Sequence, residues 1–339
     1  MKNLLIPPFS HDAAQAAQQH LDALAKVPGS LGLMEDLAVR LAGITGNTAP
    51  AFPHKSLVLF AGDHDIAQQG VSTAPQAVTE ALVRLYLEGG GAINAYCRTA
   101  NADFTVVDAG LKNDLALDGL LQAKVIHGAR DFSTAAAMSR DEAAACIQLG
   151  IDMARAEAER GVDLLAAGEV GIGNTSPSSA IAAVMTGHPV EEVTGAGTGI
   201  TPEKVRFKAA LIRRGIELNK PDPADALDVL AKVGGAEIGA MAGLMLGGAE
   251  LRIPVIVDGF IAGAAASIAI GLNPDVRHML VGSHSSCEAG HRILMDHLGI
   301  PTYFDFHLRL GEGTGAVLMF PIIDSAVRIL TEMKLLKDI

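Results

Sequence analysis

Five short apolar runs in this chain stop abruptly at glycine and polar residues: "SLVLFAGDHD" (56–65), "FTVVDAG" (104–110), "DLLAAGEVGIGN" (163–174), "PVIVDGF" (254–260) and "HMLVGSHSS" (278–286). Apolar runs without alternation predict strands covered on both faces, as in a parallel sheet. Between them lie longer stretches with helical spacing, rich in Ala, Leu and Glu, for example residues 74–100 and 139–161. Ser139 followed by Glu142 forms a capping box that marks a helix start. The alternation predicts an α/β chain with a Rossmann-like parallel sheet flanked by helices. Residues 1–45 and 320–339 show helical periodicity without strands and are expected to pair as a small helical domain, beside a large α/β domain over 46–319 that carries the active site. In such sheets ligands bind beyond the carboxyl ends of the strands, where every one of these glycine-polar endings falls.

Composition narrows the function. The chain has 339 residues, 49% of them hydrophobic, enough for a large core. With 26 basic against 38 acidic residues its formal net charge is -12, so no global field would hold a nucleic acid or an anionic membrane. Any anionic ligand must be bound locally. The N-terminal apolar run is interrupted by Pro7 and Pro8, too early for a signal peptide or a membrane span, and a cytoplasmic location is expected. Cys97, Cys146 and Cys287 are an odd number with no close pair, so reduced thiols are expected rather than disulfides or a zinc ribbon.

Four segments carry candidate chemistry. In "GEVGIGNTSPSS", Gly168, Gly171 and Gly173 lead from a strand into Asn174, Thr175 and Ser176, with Pro177 at an expected first helical position. Such a segment suits an anion, because glycine lets backbone N–H groups approach and a helix N-terminus offers unpaired donors, but it also suits a plain tight turn. It is neither G-x-G-x-x-G nor a Walker loop. In "TPEKVRFKAALIRRG", one of Lys204, Arg206, Lys208, Arg213 and Arg214 could reach the same anion while the others form a solvated face. His284, Glu288 and His291, with Asp63, His64 and Asp65, match no metal-ligand spacing and read as cleft-lining or supporting groups, so no metal is expected. In "HLRLGEGTGAVLMF", Glu312 stands between two glycines before an apolar run. It is either a helix-start acid or a poorly solvated general base whose proton affinity desolvation raises.

Segments "VPGSLGLME" (27–35), "AGDHD" (61–65), "GEVGIGNTSPSSA" (168–180), "DVLAKVGGAEIGAMAGLMLG" (228–247), "VDGFIAGAAA" (257–266) and "RLGEGTGA" (309–316) carry a resemblance. In order and spacing, from about residue 15 to 335, the chain resembles the nicotinate-nucleotide:dimethylbenzimidazole phosphoribosyltransferase family. The resemblance implies an enzyme that moves the 5-phosphoribosyl group from nicotinate mononucleotide to an aromatic acceptor, the lower-ligand base of a cobamide, giving an α-riboside 5′-phosphate and nicotinate. It implies a dimer, with a second copy or a paralogous chain, and neither a metal nor a nicotinamide cofactor. Carried over, Glu312 becomes the general base and Glu169 a ribose contact. Gly171, Gly173, Asn174, Thr175 and Lys208 hold the phosphate and its ribose, and Leu310 joins the substrate-binding set.

Benzimidazole-using members carry Ser and Gln where this chain has Ala74 and Leu82, so a more apolar acceptor pocket is expected, suited to phenol or p-cresol. The segments at 27–35 and 63–65 also depart from the usual pattern. Competing readings are a non-catalytic subunit of a heterodimeric transferase, disfavoured by Glu312 and the complete "GEVGIGNTSPSS" stretch, and a nucleotide-binding dehydrogenase, disfavoured by the missing glycine fingerprint. A metal-dependent hydrolase built on the histidines is the third.

Overall fold

The computed structural model describes residues 4–339; residues 1–3, where the N-terminal apolar run begins, lie outside the described residues. Six strands pair in parallel: β1 (Lys55–Gly62), β2 (Ala102–Gly110), β3 (Leu120–Gln122), β4 (Leu164–Val170), β5 (Val255–Val257) and β6 (Leu280–Gly282). Their spatial order is β3-β2-β1-β4-β5-β6. The five predicted runs all form strands, because helices cover both faces and only continuous apolar sequence can fill such a layer. The strand that was not predicted, β3, is an edge strand of three residues with only Leu120 buried, too short and too exposed to show a pattern.

This order places a topological switch point between β1 and β4. The chain leaves β1 towards β2 on one side and leaves β4 towards β5 on the other, so the loops at their carboxyl ends diverge and open a crevice. The register sets Phe60 opposite Glu169, which puts Glu169 at the lip of that crevice.

Several helix boundaries depart from the sequence pattern for identifiable reasons. The 74–100 segment forms two helices, Val78–Leu87 and Ala92–Ala100, separated by Gly89, Gly90 and Gly91. The predicted capping box is made: Glu142 N donates to Ser139 Oγ at 3.1 Å and Ser139 N to Glu142 Oε2 at 2.6 Å. The terminal helices His11–Ala23 and Leu33–Thr45 pack together and against the helix Thr314–Glu332. Ala25 N also donates to Lys334 O at 2.9 Å. The domain boundary expected at 319/320 falls inside Thr314–Glu332, which runs on through Pro321 and also packs against Ala92–Ala100, β4 and β5. One rod therefore serves both the sheet and the terminal helices. It is long and apolar enough to cross a membrane, yet its apolar positions, Val317, Phe320 and Ile323 among them, are buried in the core.

The closest helix packing joins Arg140–Glu159 to Ala236–Glu250 behind the sheet. Gly150 and Gly243 make the approach possible, since a Cβ at either would lie 1.9 Å from a carbonyl oxygen, that of Ala240 or of Ile147. Cys97 and Cys146 are buried and Cys287 is exposed, all three as free thiols. Gly243→Ala gains about 1 kcal/mol of helix propensity but drives a methyl group into the Ile147 carbonyl. The expected net effect is a destabilisation on the order of 1–3 kcal/mol, read as a lower midpoint in denaturant unfolding. A midpoint at or above that of the parent chain would contradict the contact.

Candidate active site

A cleft of about 520 Å³ opens at the switch point, lined by residues 169–175 after β4, 258–262 after β5 and 307–312 before the last long helix, with Ser72 and Leu82 on its far wall. That volume suits a nucleotide or a similar small ligand.

Glu312 lies at its floor in an unusual conformation. Gly311, Glu312 and Gly313 are three consecutive left-handed residues, with φ of 81°, 64° and 78°. A side chain on Gly311 would meet Glu169 Oε1 at 2.4 Å, and one on Gly313 would meet Leu57 at 2.6 Å, so both flanks of the acid must be glycine. A left-handed residue other than glycine costs roughly 1–2 kcal/mol and persists only where its surroundings hold it. Two buried carboxylates from neighbouring strand ends do so. Asp258 Oδ2 accepts from Gly313 N at 3.2 Å and Oδ1 from Ala316 N at 2.9 Å, while Glu169 Oε1 accepts from Glu312 N at 3.3 Å. Asp258 thus satisfies the start of Thr314–Glu332, a task its N-cap, Gly313, has no side chain to perform.

Glu312 thus precedes a helix start and is also buried, 9% exposed. Burial raises its pKa, Tyr86 beside it pulls the other way, and Asp258 adds to the rise. Burial, then Glu237, pushes Glu169 up to about 8 against the hydrogen bonds it accepts from Asn174 and Glu312. Burial likewise brings Asp258 to about 7 despite its backbone donors. Clustered acids in a low dielectric cannot all ionise together at neutral pH.

A helix start lies on the same cleft. The helix Thr175–Thr186 starts there, and Pro177 occupies its third rather than its first position, still within the turn whose N–H groups lack helical partners. The Asn174 side chain does not cap the helix but donates to Glu169, joining the two ends of the cleft. Lys208 is fully buried on the helix Pro202–Asn219; its Nζ donates to Thr175 Oγ1 at 2.7 Å and lies 3.4 Å from Gly195 O. Burial lowers its pKa to about 8, with Glu288 opposing, which leaves it mostly protonated at neutral pH. It stands behind Thr175 instead of lining the cleft, whereas Lys204, Arg206, Arg213 and Arg214 are exposed.

Of the predicted site residues, Glu169, Gly171, Gly173, Asn174, Thr175, Leu82, Leu310 and Glu312 line this cleft. Ala74 does not: it lines an adjoining depression with Ala67 and Gln68, and Ser72, two residues earlier, lines both. The cause is the loop before Val78–Leu87, which Thr198 ties down by hydrogen bonds to Ser72 Oγ (3.0 Å) and Thr73 N (2.9 Å). His64 is 2.6 Å from Glu237, His284 lines the cleft with its pKa pushed down by burial to about 4, and His291 lies behind it. Among the described residues no group of three or more His, Cys, Asp or Glu is placed to hold a metal ion.

Sequence reasoning passed over Asp258, Glu237, Ser72 and Tyr86. Asp258 carried the same strand-end signal as Glu169, and Glu237 was legible as an acid in the first turn of an otherwise apolar helix that carries no other charge before Glu250. Ser72 and Tyr86 had no signal, since only the fold brings them to the site.

Comparison with known proteins agrees with this fold. A model of a family described as phosphoribosyltransferase matches residues 6–338. A nicotinate-nucleotide–dimethylbenzimidazole phosphoribosyltransferase of Desulforudis audaxviator is 46% identical over 98% of this chain and 95% of its own length. One of Desulforamulus reducens is 49% identical over 94% of this chain and 92% of its own. The crystal structure of the enzyme of that name from Thermus thermophilus superposes with a TM-score of 0.92 at 37% identity, covering 97% of this chain and 98% of that one.

The raised acids make stability depend on pH. Glu169 binds its proton in the folded state up to about 8 but releases it near 4.5 when unfolded, so its contribution is complete below 4.5 and is lost as pH rises towards 8. The melting temperature should therefore fall between pH 5 and pH 8, and Glu169→Gln should flatten that decline. An equally steep decline in the variant would remove Glu169 as its source.

Proposed function

This chain belongs to the nicotinate-nucleotide:dimethylbenzimidazole phosphoribosyltransferase family, and on that premise we propose that it transfers the 5-phosphoribosyl group of nicotinate mononucleotide to an aromatic acceptor, with Glu312 as the base. The observation that carries this reading is the carboxylate of Glu312, held in a left-handed turn on the same cleft as the helix start at Thr175. The donor phosphate sits at that helix start, with the charge of Lys208 behind Thr175, and the ribose lies against Glu169 and Asn174. The acceptor occupies the wall formed by Leu82 and Leu310, next to Glu312.

The chemistry balances in one displacement. The acceptor's nucleophilic atom forms a bond to C1′ as the bond from C1′ to the pyridinium nitrogen breaks. That electron pair returns to the ring, which departs as nicotinate, and the acceptor's proton passes to Glu312. A single in-line attack turns the β-nucleotide into an α-riboside, so no covalent enzyme intermediate is needed. The raised proton affinity of Glu312 makes it a stronger base than a solvated carboxylate. A surrounding carboxyl group that is ionised also favours the positive charge that develops on the ribose as the leaving group departs.

The names of the relatives support 5,6-dimethylbenzimidazole as the acceptor. A phenolic acceptor is the second reading, favoured by Leu82 and Leu310, which offer no hydrogen bond to a ring nitrogen. Because a phenol has a pKa of roughly 10, its attack at neutral pH would depend on Glu312. The purified chain, given nicotinate mononucleotide and either acceptor in parallel, should release nicotinate and yield the α-riboside phosphate of the preferred one. Glu312→Gln should lower kcat by about 10²–10⁴-fold with KM for the donor little changed. Absence of release with both acceptors would instead favour a non-catalytic subunit.

A further inference from the structure

Two residues beyond β6, His284 lines the cleft, and the transfer proposed above gives it no task. Its backbone is held from both sides: His291 Nε2 donates to His284 O at 3.1 Å, and the next residue, Ser285, donates its N–H to Phe304 O at 2.9 Å. The ring stacks with those of His291 and Phe304, at centroid distances of 6.1 and 5.9 Å. A Cβ at Gly315 would lie 1.9 Å from Nδ1, so the ring fills a space that only glycine leaves open at the start of Thr314–Glu332.

The two ring nitrogens have unlike surroundings, which decide where the proton resides. Ser283 Oγ lies 2.8 Å from Val257 O and 2.8 Å from Asp258 O, and a carbonyl oxygen only accepts. The single hydroxyl hydrogen must point towards these carbonyls, since three oxygens so close without a hydrogen between them would repel one another. The same Oγ is 3.1 Å from His284 Nδ1, so Nδ1 carries the N–H and Oγ accepts it. Asp258 Oδ1, 3.9 Å from Nδ1, favours a proton on that side. With the imidazole kept uncharged by burial, Nε2 is a bare acceptor. It adjoins Gly259 on the cleft wall, where a Cβ would stand 3.7 Å from it, and among the described residues no protein group hydrogen-bonds it. An acceptor so placed on a side chain only 3% exposed calls for a donor from a ligand.

The chemistry of the reactants restricts that donor. At neutral pH the carboxylate and the phosphate of nicotinate mononucleotide accept hydrogen bonds. Its pyridinium nitrogen carries no hydrogen, and the acceptor's mobile proton goes to Glu312. The ribose hydroxyls remain. We propose that, with nicotinate mononucleotide as the donor inferred above, His284 recognises its ribose: Nε2 accepts a hydrogen bond from one ribose hydroxyl, in a tautomer set by Ser283.

The tautomer can be read without any turnover by ¹⁵N NMR of histidine-labelled protein, the His284 lines being identified by their loss in His284→Gln. The expected result is a protonated Nδ1 and an unprotonated Nε2 in the free chain, with the Nε2 line moving upfield when nicotinate mononucleotide is added. His284→Gln keeps an acceptor near the position of Nε2, whereas His284→Asn keeps only a group near Nδ1. The Asn variant should bind nicotinate mononucleotide about tenfold more weakly than the parent, and the Gln variant nearly as well as the parent. The deficit of the Asn variant should vanish with either the 2′-deoxy or the 3′-deoxy nucleotide, which names the hydroxyl. A proton on Nε2 in the free chain, or a deficit that persists with both deoxy nucleotides, overturns the assignment. A parent chain that binds nicotinate mononucleotide but transfers nothing ends the proposed reaction alone, and the binding comparison still decides on His284. A parent chain that does not bind it overturns both.

Discussion

Two backbone N–H groups, those of Gly313 and Ala316, converge on the buried carboxylate of Asp258, and the shape of the site depends on that convergence. Without it the first turn of Thr314–Glu332 has no side-chain acceptor, and nothing from β5 holds the left-handed run at 311–313. Because that helix also carries the terminal helices, the same carboxylate connects the switch point of the sheet with the packing of both chain ends. A residue at the tip of a three-residue strand thereby governs contacts at some distance from it.

Burial gives the cleft two unlike ends. Acidic groups crowd the end at Glu312, where a low dielectric raises their proton affinities. At the other end a helix start and a buried ammonium group face outward through Thr175. The hydrogen bond between Asn174 and Glu169 spans the two, so the segment that would hold the phosphate is tied to the carboxyl that holds the backbone of Glu312. A phosphate-bearing donor and a proton-releasing acceptor need opposite environments a few ångströms apart. Several strand-end loops converging on one crevice can provide both, which a single loop could not.

Much of this was legible beforehand, but unevenly. The strands β1, β2, β4, β5 and β6 announced themselves because a sheet covered on both faces requires unbroken apolar sequence, and the Ser139–Glu142 box because its two hydrogen bonds are local. The glycines around Glu312 were visible as a pattern, though their reason, Glu169 on one side and Leu57 on the other, was not. Ala74 and Leu82 looked equivalent in sequence, yet the loop that Thr198 ties down turns Ala74 away and brings Ser72 to the cleft.

The sequence by itself determined the class of fold and the strand ends where polar residues gather, since each rests on residues adjacent in the chain or on a repeating period, and it marked Glu312 as an acid between two glycines without choosing between a helix start and a base. Only the tertiary structure decided which polar groups share the buried space. Asp258, Glu169, Tyr86 and Glu312 come from four separate elements, and their proton affinities and hydrogen bonds arise from mutual distance and exclusion of water. Those quantities belong to the packed arrangement and are not encoded in any one segment.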